Sequence, residues 1–156
     1  MKPRGRRRGV RLALAGAIAG VLVVGCVRHP GLPANSTADF AAKGSLTAED
    51  AISALATTRL GLDAEALGRT TQRYLEVLVS DQEDGLEGTV GSFEAVAPPT
   101  PASRVLRERL TSVLGDAQDD LAAVRIALDD GRTDEAVAMR ADLRQDEARL
   151  ETFVIP

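Results

Sequence analysis

Between residues 106 and 128 the apolar positions fall at Leu106, Leu110, Val113, Ala117, Leu121, Val124 and Leu128. Steps of four and three residues keep all seven side chains on one face of a helix with 3.6 residues per turn. A strand would scatter the same residues over both faces of a sheet. The pattern therefore dictates an amphipathic helix that must bury one stripe against other elements.

The rest of the chain from residue 46 onwards follows the same rule. Thr47-Ala48-Glu49-Asp50 has the form of a capping box and is expected to start the first helix. Apolar positions then recur as Leu60, Ala64, Leu67, Thr71, Tyr74 and Leu78. Unbroken to Asp81, that helix would be ~50 Å long, with Gly61 a candidate kink and Asp63 a candidate cap for a restart. Leu86, Val90 and Phe93 continue at helical spacing, with Gly85, Gly88 and Gly91 among them. Those glycines fit a weak, bent helix, or a small-residue stripe that admits a close neighbour.

Pro98-Pro99-Thr100-Pro101 ends this segment. Asp129-Asp130-Gly131-Arg132-Thr133 reads as a tight turn, with Gly131 at the left-handed C′ position and Thr133 as the next N-cap. Asp134 and Glu135 fall in the first turn beyond it, where the helix dipole favours carboxylates. Ala136, Met139, Leu143, Leu150 and Phe153 complete the last stripe. A connection this short places the last two helices antiparallel. With no convincing strand alternation, the expected fold is all-α: an antiparallel up-and-down bundle of three to four helices over residues 46–156. Trp is absent and Phe plus Tyr total four, so the core must be built from Leu, Val and Ala.

The N-terminal segment has another character. Lys2, Arg4, Arg6, Arg7, Arg8 and Arg11 precede an uncharged run of 14 residues, Leu12 to Gly25. A charged start, a short apolar run and small residues are the build of a secretory signal peptide. A membrane-spanning helix needs roughly 20 apolar residues, and the positive start favours export of the chain beyond the apolar run. Arg7-Arg8 gives at most a faint twin-arginine signal.

The run closes on Val23, Val24, Gly25 and Cys26, the one cysteine of the chain. This quartet resembles the lipobox of bacterial lipoproteins, a resemblance confined to residues 1–26. It implies diacylglycerol on the Cys26 thiol and cleavage between Gly25 and Cys26, with residues 1–25 removed. Two acyl chains anchor stably where one binds only marginally. The implied location is the cell membrane, lipid-anchored, on its extracytoplasmic face.

From Arg28 to Ser45 the chain carries Pro30, Gly31, Pro33, Asn35, Ser36 and Thr37 with little apolar periodicity. Residues 26–45 are therefore expected to form a lipidated flexible tether. The stretch of about 18 residues from Arg28 to Ser45 would span on the order of 20–25 Å. Asn35-Ser36-Thr37 matches a glycosylation sequon by coincidence.

After Cys26 there remain 13 Lys plus Arg against 23 Asp plus Glu, a net charge of −10 compared with −4 for the whole chain. An acidic surface without a basic stripe argues against nucleic-acid partners and against docking on anionic lipid headgroups. One cysteine leaves no intramolecular disulfide and no cysteine-based zinc site. The single histidine, His29, lies beside Cys26, so neither a di-iron bundle site nor a Ser-His-Asp site has its ligands or base. No cofactor is expected.

Three acidic clusters remain: Asp81-Glu83-Asp84-Glu87, Asp116-Asp119-Asp120 and Asp129-Asp130-Asp134-Glu135. They lack EF-hand spacing and fit solvated faces and helix ends. Asp146 falls near the stripe between Leu143 and Leu150, as an edge residue paired with an arginine such as Arg149. Taken together, these features suggest a non-enzymatic envelope lipoprotein acting through a protein partner. A small-ligand or divalent-cation-binding lipoprotein is the alternative, and a cell-wall hydrolase a remote one.

Overall fold

The computed structural model describes residues 34–155, and every regular element among them is helical: α1 (Thr37–Ala66), α2 (Gln72–Glu94), α3 (Pro101–Asp129), α4 (Thr133–Ala138) and α5 (Arg140–Glu151). Helices α1, α2 and α3, with α4 and α5 together as a fourth leg, form the expected up-and-down bundle. Cross-links at the helix ends fix the directions. The Thr37 and Thr100 hydroxyls, at the starts of α1 and α3, lie 2.9 Å apart. Gln72 at the start of α2 donates to the Leu128 carbonyl near the end of α3 at 3.1 Å. Ile155 N–H, just past α5, donates to Ser45 Oγ near the start of α1 at 2.9 Å. Successive legs therefore run in opposite directions, and α1 packs against each of the other helices.

The three long helices are capped at their starts by hydroxyls. Ser36 accepts from Asp39 N–H, Thr71 from Tyr74 N–H and Thr100 from Ser103 N–H, each satisfying an amide with no partner inside its own helix. Pro101 occupies the first turn of α3, where its missing N–H costs nothing. Two helices end in the same glycine device. Gly68 has φ of 62° and Gly131 φ of 72°. The amides of Gly68 and Arg69 bond back to Glu65 and Ala64, and those of Gly131 and Arg132 to Leu128 and Ala127. Both are Schellman motifs, whose left-handed residue only glycine adopts without strain.

The core is aliphatic. Leu55, Leu62, Leu75, Leu86, Leu110, Leu114, Leu121, Leu128, Leu143 and Leu150 are its largest buried leucines. Each such side chain contributes roughly 1.5–3 kcal/mol by leaving water. On the α3 stripe Leu110, Val113, Ala117, Leu121, Val124 and Leu128 are buried, and Leu106 packs partly buried against them. Leu86, Val90 and Phe93 of α2 also point inward, as do Ala136, Leu143 and Leu150 of the last leg, with Met139 and Phe153 partly buried.

The first helix departs from expectation in four respects. It begins at Thr37 rather than Thr47, so residues 37–45 of the expected tether are helix, and residues 26–33 lie outside the described residues. Thr47 caps nothing: its hydroxyl donates to the Lys43 carbonyl at 3.0 Å inside α1. Ala34 and Phe40 belong to the core, and Phe40 is fully buried. The buried face of α1 is Phe40, Gly44, Ala48, Ala51, Leu55, Thr58 and Leu62, while Leu60, Leu67 and Tyr74 of the expected stripe are exposed.

The expected long helix is also two helices. The break falls at Gly68, not Gly61, and α1 runs straight through Gly61 and Asp63. Gly61 is there for packing: a Cβ at this position would stand 2.6 Å from Leu78 Cδ2 and 2.9 Å from Leu75 Cδ1. Helix α2 is continuous through Gly85, Gly88 and Gly91, and a Cβ on any of the three would meet nothing within 4 Å. These glycines are solvent-facing and do not form a contact stripe. Beyond α3, Arg132 rather than Thr133 is the N-cap of α4, without a side-chain bond. The turn is so short that Arg132 already closes the Schellman motif of α3. Met139 interrupts the last leg between α4 and α5.

Candidate functional site

Gly25, Cys26 and His29 lie outside the described residues. Among the described residues no helix is long and apolar enough to cross a membrane, and no group of three or more His, Cys, Asp or Glu could hold a metal ion.

Within the bundle the acidic clusters part company. Glu83 and Asp84 sit in the middle of α2 rather than near a helix end. Arg125 of α3 donates to both Glu83 carboxylate oxygens and to Asp129, knitting α2 to α3. Asp130 and Glu135 pair with Arg132 at the α3–α4 turn. Across α1 and α5, Arg59 donates to the two Glu147 oxygens at 2.9 and 3.2 Å, and Arg140 donates to Asp63 at 2.6 Å. Glu83, Glu147 and Asp63 close seams between helices, Asp130 and Glu135 flank the α3–α4 turn, and Asp129 pairs within α3.

The cluster on α3 lines a groove in which a buried carboxylate oxygen is left without a partner. Asp116, Asp119 and Asp120 from α3 face Asp142, Gln145, Asp146 and Arg149 from α5, around a cleft of about 350 Å³. Positions 116, 119 and 120 share one side of α3, and 142, 145, 146 and 149 share one side of α5, because residues three and four apart lie on one helix face. Arg149 spans the groove, 2.6 Å from Asp116 and 2.9 Å from Asp146 Oδ1. The pairing of Asp146 with Arg149 is as expected, but Asp146 is no edge residue: it is 3% exposed. Its second oxygen, Oδ2, is buried and receives no hydrogen bond. Asp119 is a solvated face residue, whereas Asp120 is half-buried and lines the same groove as Asp146. Burial first, then the neighbouring Asp146 carboxyl, then the negative charges of Asp146, Asp142 and Asp116 push the Asp120 carboxyl up to about 6. Periodicity could not find this pair, since α3 and α5 meet only in the folded chain.

Comparison of the chain with protein-family models, with curated proteins and with solved structures finds no match.

Proposed function

We propose that this chain is an extracytoplasmic lipoprotein, held to the cell membrane by lipid on Cys26, whose helical bundle acts through contacts with another envelope protein rather than as an enzyme. One observation carries the proposal: the arginine-rich start, the uncharged run from Leu12 and the Val23-Val24-Gly25-Cys26 ending occur together on the chain's one cysteine. The acidic balance beyond Cys26 supports it, because such a surface gains nothing from anionic headgroups and leaves attachment to the lipid. The one histidine lies at position 29, outside the bundle helices, which leaves the bundle without an imidazole base.

The test is metabolic labelling of a bacterium expressing the full chain with an alkyne fatty acid. The wild type takes up label and fractionates with membranes, whereas Cys26→Ala takes up none and loses membrane retention. Absence of label from both proteins overturns the proposal.

A further inference from the structure

In the α3–α5 groove, Asp146 has one oxygen held by Arg149 and a second, buried oxygen with no donor. A buried acceptor left without a hydrogen bond is costly, and two ionised carboxylates facing one another in a single groove, as Asp120 and Asp146 do, repel. A single proton placed between Asp120 and Asp146 removes both penalties at once. It gives Asp146 Oδ2 a donor and leaves one negative charge on the pair where there would be two.

We propose that Asp120 and Asp146 share one proton across the seam between α3 and α5, making this seam a pH-responsive contact of the bundle.

The surroundings favour it. From its own helix Asp120 is faced by Asp116 and Asp119, and from α5 by Asp142, Asp146 and the neutral Gln145. Arg149 supplies the groove's positive charge but is engaged by Asp116 and Asp146. Around the proton the remaining field is thus negative, and it resists the loss of that proton. Asp120 in the folded chain binds its proton more tightly than in the unfolded chain, since its value rises from 3.8 to about 6. Stability from this group is fully present below pH 3.8 and is lost as pH rises through about 6. Above that, both carboxyls are charged and the seam loosens.

The test uses the full chain in non-ionic detergent. Thermal unfolding of wild type and Asp120→Asn is followed from pH 4.5 to pH 7.5. The Asn amide donates to Asp146 at every pH and carries no charge. The variant is therefore expected to melt several degrees above wild type at pH 7.5, with the gap closing towards pH 4.5. A gap that is the same at both pH values overturns the proposal. Carboxyl carbon NMR of Asp-labelled wild type reads the proton directly and does not depend on the variant folding. A midpoint near pH 6 that is absent from Asp120→Asn supports the shared proton, and an Asp120 midpoint near 4 overturns it. Stabilisation of the wild type at pH 7.5 by millimolar calcium, lost in Asp120→Asn, would place a cation where the proton is proposed and would equally overturn it.

Discussion

The ring of Phe40 lies against that of Phe93, centroids 5.3 Å apart and planes tilted by 47°. One ring comes from the first turn of α1 and the other from the last turn of α2, so the pair closes one end of the bundle. With three phenylalanines in the whole chain, this contact concentrates much of its aromatic burial. It also ties residues 37–45 into the domain.

Phe40→Ala should therefore destabilise the domain by about 3–5 kcal/mol, the usual cost of emptying a buried phenylalanine site. Phe40→Leu should cost clearly less, because it leaves a smaller cavity. Chemical denaturation of the purified protein measures both. A companion comparison uses chains starting at residue 34 and at residue 46. The first is expected to melt cooperatively, and the second to lose or broaden its transition.

The glycines of α1 and α2 should respond in opposite ways to alanine. Gly85→Ala, Gly88→Ala and Gly91→Ala each add a methyl in open space on a helix. Each should stabilise by about 0.5–1 kcal/mol through helix propensity. At Gly61 the same gain meets Leu75 and Leu78 at under 3 Å. Overpacking costs about 1–3 kcal/mol, so Gly61→Ala should come out neutral to destabilising, and Gly61→Val clearly destabilising. Thermal melts of the four alanine variants would separate the two classes.

Thr58 is fully buried on α1, and its hydroxyl has no hydrogen-bond partner. Replacing an unsatisfied buried hydroxyl by a methyl removes a desolvation penalty of about 1–3 kcal/mol. Val and Thr have similar helix propensity. Thr58→Val is expected to raise the unfolding free energy by about 1 kcal/mol. A loss of stability would show that the hydroxyl is bonded in solution.

Arg59 and Glu147 join α1 to α5 through two hydrogen bonds, with side chains only 22% and 12% exposed. Glu147 holds the Arg59 guanidinium above its ordinary value. A double-mutant cycle with Arg59→Met and Glu147→Gln should return a coupling of about 1 kcal/mol, above the median of exposed pairs. The coupling should survive moderate salt, since partly buried pairs are screened less.

The helices that sequence describes well are those whose stripes are made of large aliphatic residues. The α3 face from Leu110 to Leu128 is unmistakable, because each step carries a Leu, Val or Ala. On α1 the buried face runs through Gly44, Ala48, Ala51 and Thr58, residues whose hydrophobic signal is weak. The larger Leu60, Leu67 and Tyr74 give a stronger signal, but all three are exposed, and Tyr74 belongs to α2. Ser36 followed by Asp39 and then Phe40 is the local sign of an earlier start, masked by the prolines and glycine before it.

By itself, the sequence determined the all-helical class, the antiparallel order and the glycine turn at Gly131. All of these are local: a period, a turn residue or a short motif decides each within a few residues. Tertiary structure decided where α1 begins, why Gly61 is a glycine and which carboxyls meet. Those depend on contacts between residues far apart in the chain. Phe93 makes Phe40 a core residue, Leu75 and Leu78 leave room only for hydrogen at Gly61, and α5 brings Asp146 to Asp120. Close packing and burial act on whichever residues the fold brings together, and no spacing along one helix encodes that.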